Sequence, residues 1–256
     1  MKEELVSIIT PSFNSAKYIK ETIESIQAQT YKNWELLITD DCSTDQTVDI
    51  VQKYASKDSR IHLFSLKTNS GAGAARNNSI AHAKGRYIAF CDSDDLWDQD
   101  KLDRQIAFMN EKDTAFSYSS YNSMDERSGA RSTVEVPPTL TLRDIIRCNQ
   151  IGCLTAVYDT AKVGKIYMPL LRKRQDWGLW ILVLQKCQKA YGITEALGTY
   201  RIRESSISRS KFNLVKYNMA IYEEVLGWSK LHAALYFTFV FTPNYLFKIL
   251  SIRKKA

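Results

Sequence analysis

Asp92-Ser93-Asp94 places two carboxylates two residues apart, directly behind the apolar run Tyr87-Ile88-Ala89-Phe90-Cys91. Magnesium and manganese ions take oxygen ligands, commonly one or two carboxylates together with phosphate oxygens. An Asp-rich turn has the same composition, so position must decide between the two readings. Asp40-Asp41-Cys42-Ser43 follows a second buried run, Glu35-Leu36-Leu37-Ile38-Thr39. A carboxylate there can accept a hydrogen bond from the imide N–H of a nucleobase, or cap the next helix. The ring of Phe13 could pack against such a base. Gly71-Ala72-Gly73-Ala74-Ala75-Arg76 differs from a dinucleotide fingerprint, because Arg76 stands at its third glycine position and the run follows the third strand. Gly71 instead permits close backbone approach, and Arg76 can pair with a phosphate or a site carboxylate.

These residues need a scaffold, and the first hundred residues describe one. Leu5 to Thr10, Glu35 to Thr39, Ile61 to Phe64 and Arg86 to Cys91 read as short buried strands. Pro11 reads as the end of the first. Between them, Ile19, Ile23 and Ile26, then Val48, Val51 and Ala55, recur at helical spacing, and Gly71 to Ala83 reads as a helix of small residues. Asn14 or Ser15, and Ser43 or Asp45, are the candidate caps. The alternation predicts βαβ units with right-handed crossovers and a mostly parallel sheet flanked by helices. Such sheets bind ligands at the carboxyl ends of their strands. Thr10, Pro11, Phe13, Asp40, Asp41, Gly71, Arg76, Asp92, Ser93, Asp94 and Asp95 all fall there. Carboxylates crowded in this way repel one another unless a positive group lies among them.

The chain has 256 residues, 45% hydrophobic and 25% charged, an ordinary globular mix that excludes whole-chain disorder, collagen and coiled coil. Net charge is +7, unevenly spread. Residues 1–161 hold 18 Lys and Arg against 23 Asp and Glu, whereas residues 162–256 hold 17 against 5. The acidic front suits a divalent cation, and the basic back suits phosphate groups or an anionic membrane surface. Five cysteines with no CxxC pair exclude a disulfide framework or zinc ribbon. His62, His82 and His232 are scattered and read as structural or surface. The amino end lacks the pattern of a signal peptide, so a cytoplasmic location is expected.

Taken in order, four motifs resemble those of glycosyltransferase family 2. They are Val6-Ser7-Ile8-Ile9-Thr10-Pro11-Ser12-Phe13-Asn14, Asp40-Asp41-Cys42-Ser43-Thr44-Asp45, Asn69-Ser70-Gly71 with Ala75-Arg76-Asn77, and Asp92-Ser93-Asp94-Asp95. The resemblance implies a GT-A fold and an enzyme that inverts configuration at the transferred sugar. It implies that Thr10, Pro11, Phe13 and Asp41 shape a nucleobase pocket and that Gly71 and Arg76 line the nucleotide. Asp92 would contact the ribose or sugar, with Ser93 in the same donor-binding set. Asp94 would hold Mn²⁺ or Mg²⁺ against the diphosphate, and Asp95 would lie near the donor sugar. Cys42 departs from the glycine usual in the family, so this turn either avoids positive φ or accepts strain. In the segment Arg174-Gln175-Asp176-Trp177-Gly178-Leu179-Trp180, Gln175 replaces the first acid of an acidic pair and Asp176 stands where the family has its base. A carboxylate suits that role, although Asp176 would equally suit an N-cap. Tyr200-Arg201-Ile202-Arg203-Glu204-Ser205-Ser206-Ile207-Ser208 resembles a late family segment whose usual histidine is Arg203 here. A guanidinium cannot ligate a metal but can clamp a diphosphate.

The expected activity is metal-dependent transfer from a nucleotide sugar, UDP favoured, to a hydroxyl of a glycan or lipid-linked acceptor in bacterial surface polysaccharide synthesis. A sugar nucleotidyltransferase and a non-catalytic nucleotide-sugar-binding protein are the alternatives. No nucleic-acid partner is expected. The expected organisation is a catalytic domain over 1–210 and a helical appendage over 211–256. Residues 231–252 are rich in Leu, Phe and Tyr, but His232, Pro243, Asn244 and Lys248 interrupt them, so a full membrane span is not expected. Two short amphipathic segments before Arg253-Lys254-Lys255 would fit a peripheral position on the inner face of the cytoplasmic membrane. Packing on protein would fit the same stripes.

Overall fold

A computed structural model describes residues 3–203 and 214–246. Four strands open the chain: β1 (Val6–Ser12), β2 (Trp34–Asp40), β3 (Ile61–Ser65) and β4 (Tyr87–Phe90). Helices α1 (Ile19–Gln27), α2 (Thr47–Ala55) and α3 (Ala72–His82) join them. All pair in parallel, in the spatial order β3-β2-β1-β4. β1 and β2 are buried at every residue, which explains their mostly apolar composition, and the buried Glu35 of β2 accepts a hydrogen bond from the Ser7 hydroxyl of β1.

Pro11 does not end β1; it lies within the strand, opposite Thr39. Pairing with β4 stops at Ile9 and Phe90, so the missing N–H of Pro11 falls where that neighbour has already ended. α1 starts later than the cap residues suggest. Its N-cap is Tyr18, without a side-chain bond, and the Ser15 carbonyl accepts from the amides of Tyr18 and Ile19.

Beyond β4 the sheet is mixed. β5 (Leu96–Trp97) precedes α4 (Lys101–Glu111). The strands β6 (Phe116–Asp125) and β7 (Arg131–Val134) pair as an antiparallel hairpin, and β8 (Thr139–Thr141) runs into α5 (Leu142–Arg147). A short 3₁₀ turn, Cys153–Thr155, leads into β9 (Val157–Asp159) and α6 (Thr160–Val163). Next come α7 (Gln175–Cys187) and the long β10 (Lys189–Ile202). The sheet continues β4-β9-β6-β10-β5, with β7 on β6 and β8 on β10. β6 and β10 are parallel, whereas β9, β5, β7 and β8 pair antiparallel.

Two cores result. On one face Ile8, Leu36, Ile38 and Ala89 pack under α1 and α4. On the other, Ile9, Phe90 and Phe116 pack under α7, whose Trp180 meets both Phe90 and Phe116 at 5.4 Å between ring centroids. The chain ends in α8 (Leu214–Ala220), a π-type continuation Ile221–Val225, α9 (Lys230–Tyr236) and a second π-type stretch Phe237–Phe241. Ile221, Tyr222, Ala233 and Phe241 are buried in the same core as α7. Trp177 meets Tyr222 at 5.8 Å and Phe241 at 5.7 Å, and the Tyr222 hydroxyl donates to the Ile146 carbonyl. The described part of the carboxyl-terminal segment is therefore continuous with the core beneath α7. No helix among the described residues is long and apolar enough to cross a membrane.

Candidate active site

The ends of β1, β2 and β4 lie side by side, so their following loops share one rim. Hydrogen bonds stitch those loops together. The Asn14 amide donates to Ser43 Oγ at 2.9 Å, and Asn14 Oδ1 accepts the Thr44 amide at 2.9 Å. Ala16 N–H donates to Asp45 Oδ2, and the hydroxyls of Ser15 and Ser93 bond at 2.7 Å. Asn14 thus ties two loops together instead of capping α1. Asn14 and Cys42 both have left-handed backbones, at φ 46° and 65°. Cys42 accepts the strain that glycine would avoid, and its Sγ donates to the Leu66 carbonyl at 3.1 Å.

Thr10 is fully buried, and its hydroxyl has no partner among the described residues. Pro11 is buried with it, so both support the rim from below. Phe13 stands on the rim, 48% exposed. Asp40 is held by Ser12 and Ser43. Asp41 accepts the amides of Ser70 at 2.6 Å and Gly71 at 2.7 Å, while Asn69 Nδ2 donates to its carbonyl. Asp41 therefore builds the glycine loop that follows β3. Gly71 sits at φ 89°, a conformation that an L side chain rarely adopts.

Further along the rim, each carboxylate of the Asp92-Ser93-Asp94 turn meets an arginine. Arg76, on α3 and only 6% exposed, donates from Nη2 to Asp92 Oδ1 at 2.6 Å. Its Nε is buried without a partner among the described residues. Burial opposes the guanidinium charge, but Asp92 foremost, and Asp176 as well, raise its pKa beyond the ordinary value. Arg203 Nε contacts Asp94 Oδ2 at 2.6 Å. Burial, then the charge of Asp92, pushes the Asp94 carboxyl upward, against the pull of Arg203 and Arg201. Asp95 is pushed well above the carboxylate range by burial and by Asp94 and Asp92. The turn carries more negative charge than its surroundings solvate.

Asp176 lies in the first turn of α7, while Arg174, at φ 68°, is the N-cap. The N-cap reading of Asp176 is thereby replaced by a place inside the helix, where the amino-terminal dipole favours an anion. Asn149 Nδ2 donates to Asp176 Oδ2 at 3.1 Å. Gln175 is buried, with its side chain against Gly73 of α3, so it serves as packing between the two helix starts. The structure thus gathers Asp92, Arg76 and Asp176 at one end, Asp94 and Arg203 beside them, and Phe13 with Asp41 farther along.

Several residues at this site were not singled out in the sequence. Arg201 clamps the acidic turn: its amide donates to Asp95 Oδ1, its Nε to the Asp94 carbonyl, and its Nη2 to Glu21 at 2.6 Å. It stood inside the quoted late segment, two residues from Arg203. The Tyr18 hydroxyl and Lys17 both reach Glu126 in the turn between β6 and β7, and the rings of Tyr121 on β6 and Tyr200 on β10 stand 6.3 Å apart. Asn149, alone in a loop, carried no sequence signal.

A parallel sheet end with an acidic turn, a glycine loop and a convergent carboxylate is the arrangement of a GT-A type glycosyltransferase. The model of "Glycosyl transferase family 2" matches residues 7–158, more than half of the chain. The chain is 44% identical over 222 residues to the putative teichuronic acid biosynthesis glycosyltransferase TuaG of Bacillus subtilis, covering 86% of this chain and 88% of that one. It is 38% identical over 217 residues to WfgD of Escherichia coli, a UDP-Glc:alpha-D-GlcNAc-diphosphoundecaprenol beta-1,3-glucosyltransferase, covering 84% of each. Among solved structures, S. aureus TarS in complex with UDP superposes with a TM-score of 0.70 at 25% identity, covering 93% of this chain and 73% of that one. The protein belongs to glycosyl transferase family 2 and is a glycosyltransferase.

Proposed function

We propose that the enzyme transfers a sugar, with inversion, from a UDP-sugar to a hydroxyl of a lipid-linked or glycan acceptor in bacterial surface polysaccharide synthesis. The observation that carries this reading is the packing of the start of α7, which bears Asp176, against the start of α3, which bears Arg76 and its bond to Asp92. A base and a leaving-group cation thereby share one site. The name of WfgD supports a UDP donor and a diphosphate lipid acceptor, and that of TuaG supports a cell-envelope polymer.

In this reading Phe13 and the Asp41-braced loop seat the nucleotide. Arg76 and Arg203 face the diphosphate, where negative charge develops as the bond breaks. The acceptor oxygen bonds to the anomeric carbon as the carbon–phosphate oxygen bond opens. The hydroxyl proton passes to Asp176, and the nucleoside diphosphate leaves. Excess negative charge around Asp94 suits a divalent cation. Asp94 would hold Mn²⁺ or Mg²⁺, which would supply Lewis-acid neutralisation of the leaving group. Arg203, held at Asp94, presents a guanidinium that can donate to the diphosphate.

The carboxyl-terminal helices support a peripheral membrane position on the cytoplasmic side. Leu231 and Phe239 are 71% and 72% exposed, and Leu235 lies between them at four-residue spacing. A helix with such a face can lie in a lipid interface.

The test is a panel of UDP-, GDP- and dTDP-sugars with Mn²⁺, scored by thermal shift and by the phosphate product. Stabilisation by a UDP-sugar with release of UDP is expected. Release of pyrophosphate would instead identify a nucleotidyltransferase.

A further inference from the structure

We infer that Asn149 is a positioning residue for the base: its side-chain amide aims the Asp176 carboxylate at the acceptor hydroxyl. The inference rests on the proposed role of Asp176. Its basis is the direction of two hydrogen bonds. Asn149 Oδ1 accepts the Ile151 amide at 3.0 Å. That bond fixes which end of the carboxamide faces which way, so Nδ2 must point to Asp176 Oδ2, 3.1 Å away. Among the described residues no other hydrogen bond reaches the Asp176 carboxylate. One oxygen is thus tethered and the other, Oδ1, is left for substrate.

The framework around this pair is rigid. Trp177, next to Asp176, donates from Nε1 to the Ile145 carbonyl of α5 at 2.7 Å. Ile145, Cys148 and Ile151 are buried on either side of Asn149. Hence α5 and the loop after it are locked to the first turn of α7, and Asn149 cannot move away without breaking that contact. A carboxylate on one rotatable stem samples several orientations. Holding one oxygen removes most of them before substrate arrives, which is how preorganisation contributes to rate.

A purely structural Asn would act through its bond to Ile151. Asn149→Asp preserves that acceptor and the size of the side chain, but sets an acceptor against Asp176 in place of a donor. We expect kcat to fall roughly tenfold to a hundredfold in both Asn149→Asp and Asn149→Ala, with UDP affinity unchanged in both. The assay uses the full chain and whichever panel nucleotide sugar it turns over fastest. Asp176→Asn is run in parallel. If Asp176→Asn loses turnover and Asn149→Asp keeps the parental kcat, the positioning role is wrong and the base assignment stands. If Asp176→Asn keeps turnover, the base assignment itself fails. A crystal structure of Asn149→Ala gives a reading independent of any donor. The Asp176 carboxylate should leave its present rotamer, and an unchanged rotamer would overturn the inference.

Discussion

Asp92 and Asp94 are two residues apart and use different arginines, from α3 and from the end of β10. Removing one carboxylate therefore leaves the other's partner in place. Asp94→Ala takes charge out of a turn that already holds Asp92 and Asp95, so the fold should survive and its melting temperature should hold or rise. Metal-dependent UDP binding should weaken more than tenfold, measured by calorimetry with and without Mn²⁺. Binding equal to the parent's would remove Asp94 as the metal ligand. Asp176→Asn should keep donor affinity while turnover falls by at least about a hundredfold, because the lost group acts in the transition state. At this scale residue type and order were legible: an Asp pair behind a buried strand announces itself. The partners were not. Nothing in the spacing of Asp41 says that both its oxygens are taken by the Ser70 and Gly71 amides. That bond needs a loop 29 residues away to fold back, a long-range fact.

Strands and helices of the first half follow their hydrophobic patterns, since parallel strands buried on both faces are mostly apolar. Their ends follow neighbours instead. Pro11 continues β1 because β4 is short, and α1 waits until Ile19 because Asn14 and Ser15 are engaged with the β2 loop and with Ser93. The antiparallel pairings of β5, β7, β8 and β9 were illegible because two to four residues carry no period to read. α4 hides one further element-scale feature. Lys101, in its first turn, is fully buried, donates to Gln105 Oε1 at 2.5 Å and stands 4.5 Å over the Trp97 ring. Burial lowers its pKa from 10.5 to about 7. Unfolded chains bind this proton up to about pH 10.5, the folded protein only up to about pH 7. The penalty on folding is therefore full below pH 7, and it fades as pH rises from 7 to 10.5. Lys101→Met should flatten the gain in stability across that window by several kcal/mol relative to the parent, read from urea midpoints. Parallel curves for the two proteins would show that Lys101 stays charged in its buried place.

The strand-end rim, α7 and the terminal helix pair meet through the core beneath α7. A boundary at residue 210 is natural by composition, because the apolar stripes after it read equally well as a surface for lipid. Packing divides those stripes: Ala233 and Phe241 face α7, while Leu231, Leu235 and Phe239 face outward. Ser at the three outward positions should leave the melting temperature within a few degrees of the parent. It should reduce sedimentation with vesicles of anionic phosphatidylglycerol and phosphatidylethanolamine several-fold. Equal sedimentation by parent and variant would remove the membrane reading.

Arg174, the N-cap of the base helix, also donates from Nε to Asn218 Oδ1 on α8 at 3.1 Å. Consider the family-matched stretch, residues 7–158, as a cassette to be exchanged between relatives. It would carry Phe13, Asp41, Arg76, Asp94 and Asn149, and with them the proposed nucleotide contacts and half of the Asn149–Asp176 pair. Asp176 and its brace through Arg174 and Asn218 would stay with the host. Recombinants joined at that seam would pair the donor loops of one parent with the base helix of another. The productive crossover for redesigning donor choice therefore lies inside the rim loops, upstream of α5, with everything from α5 to α9 inherited as a single block.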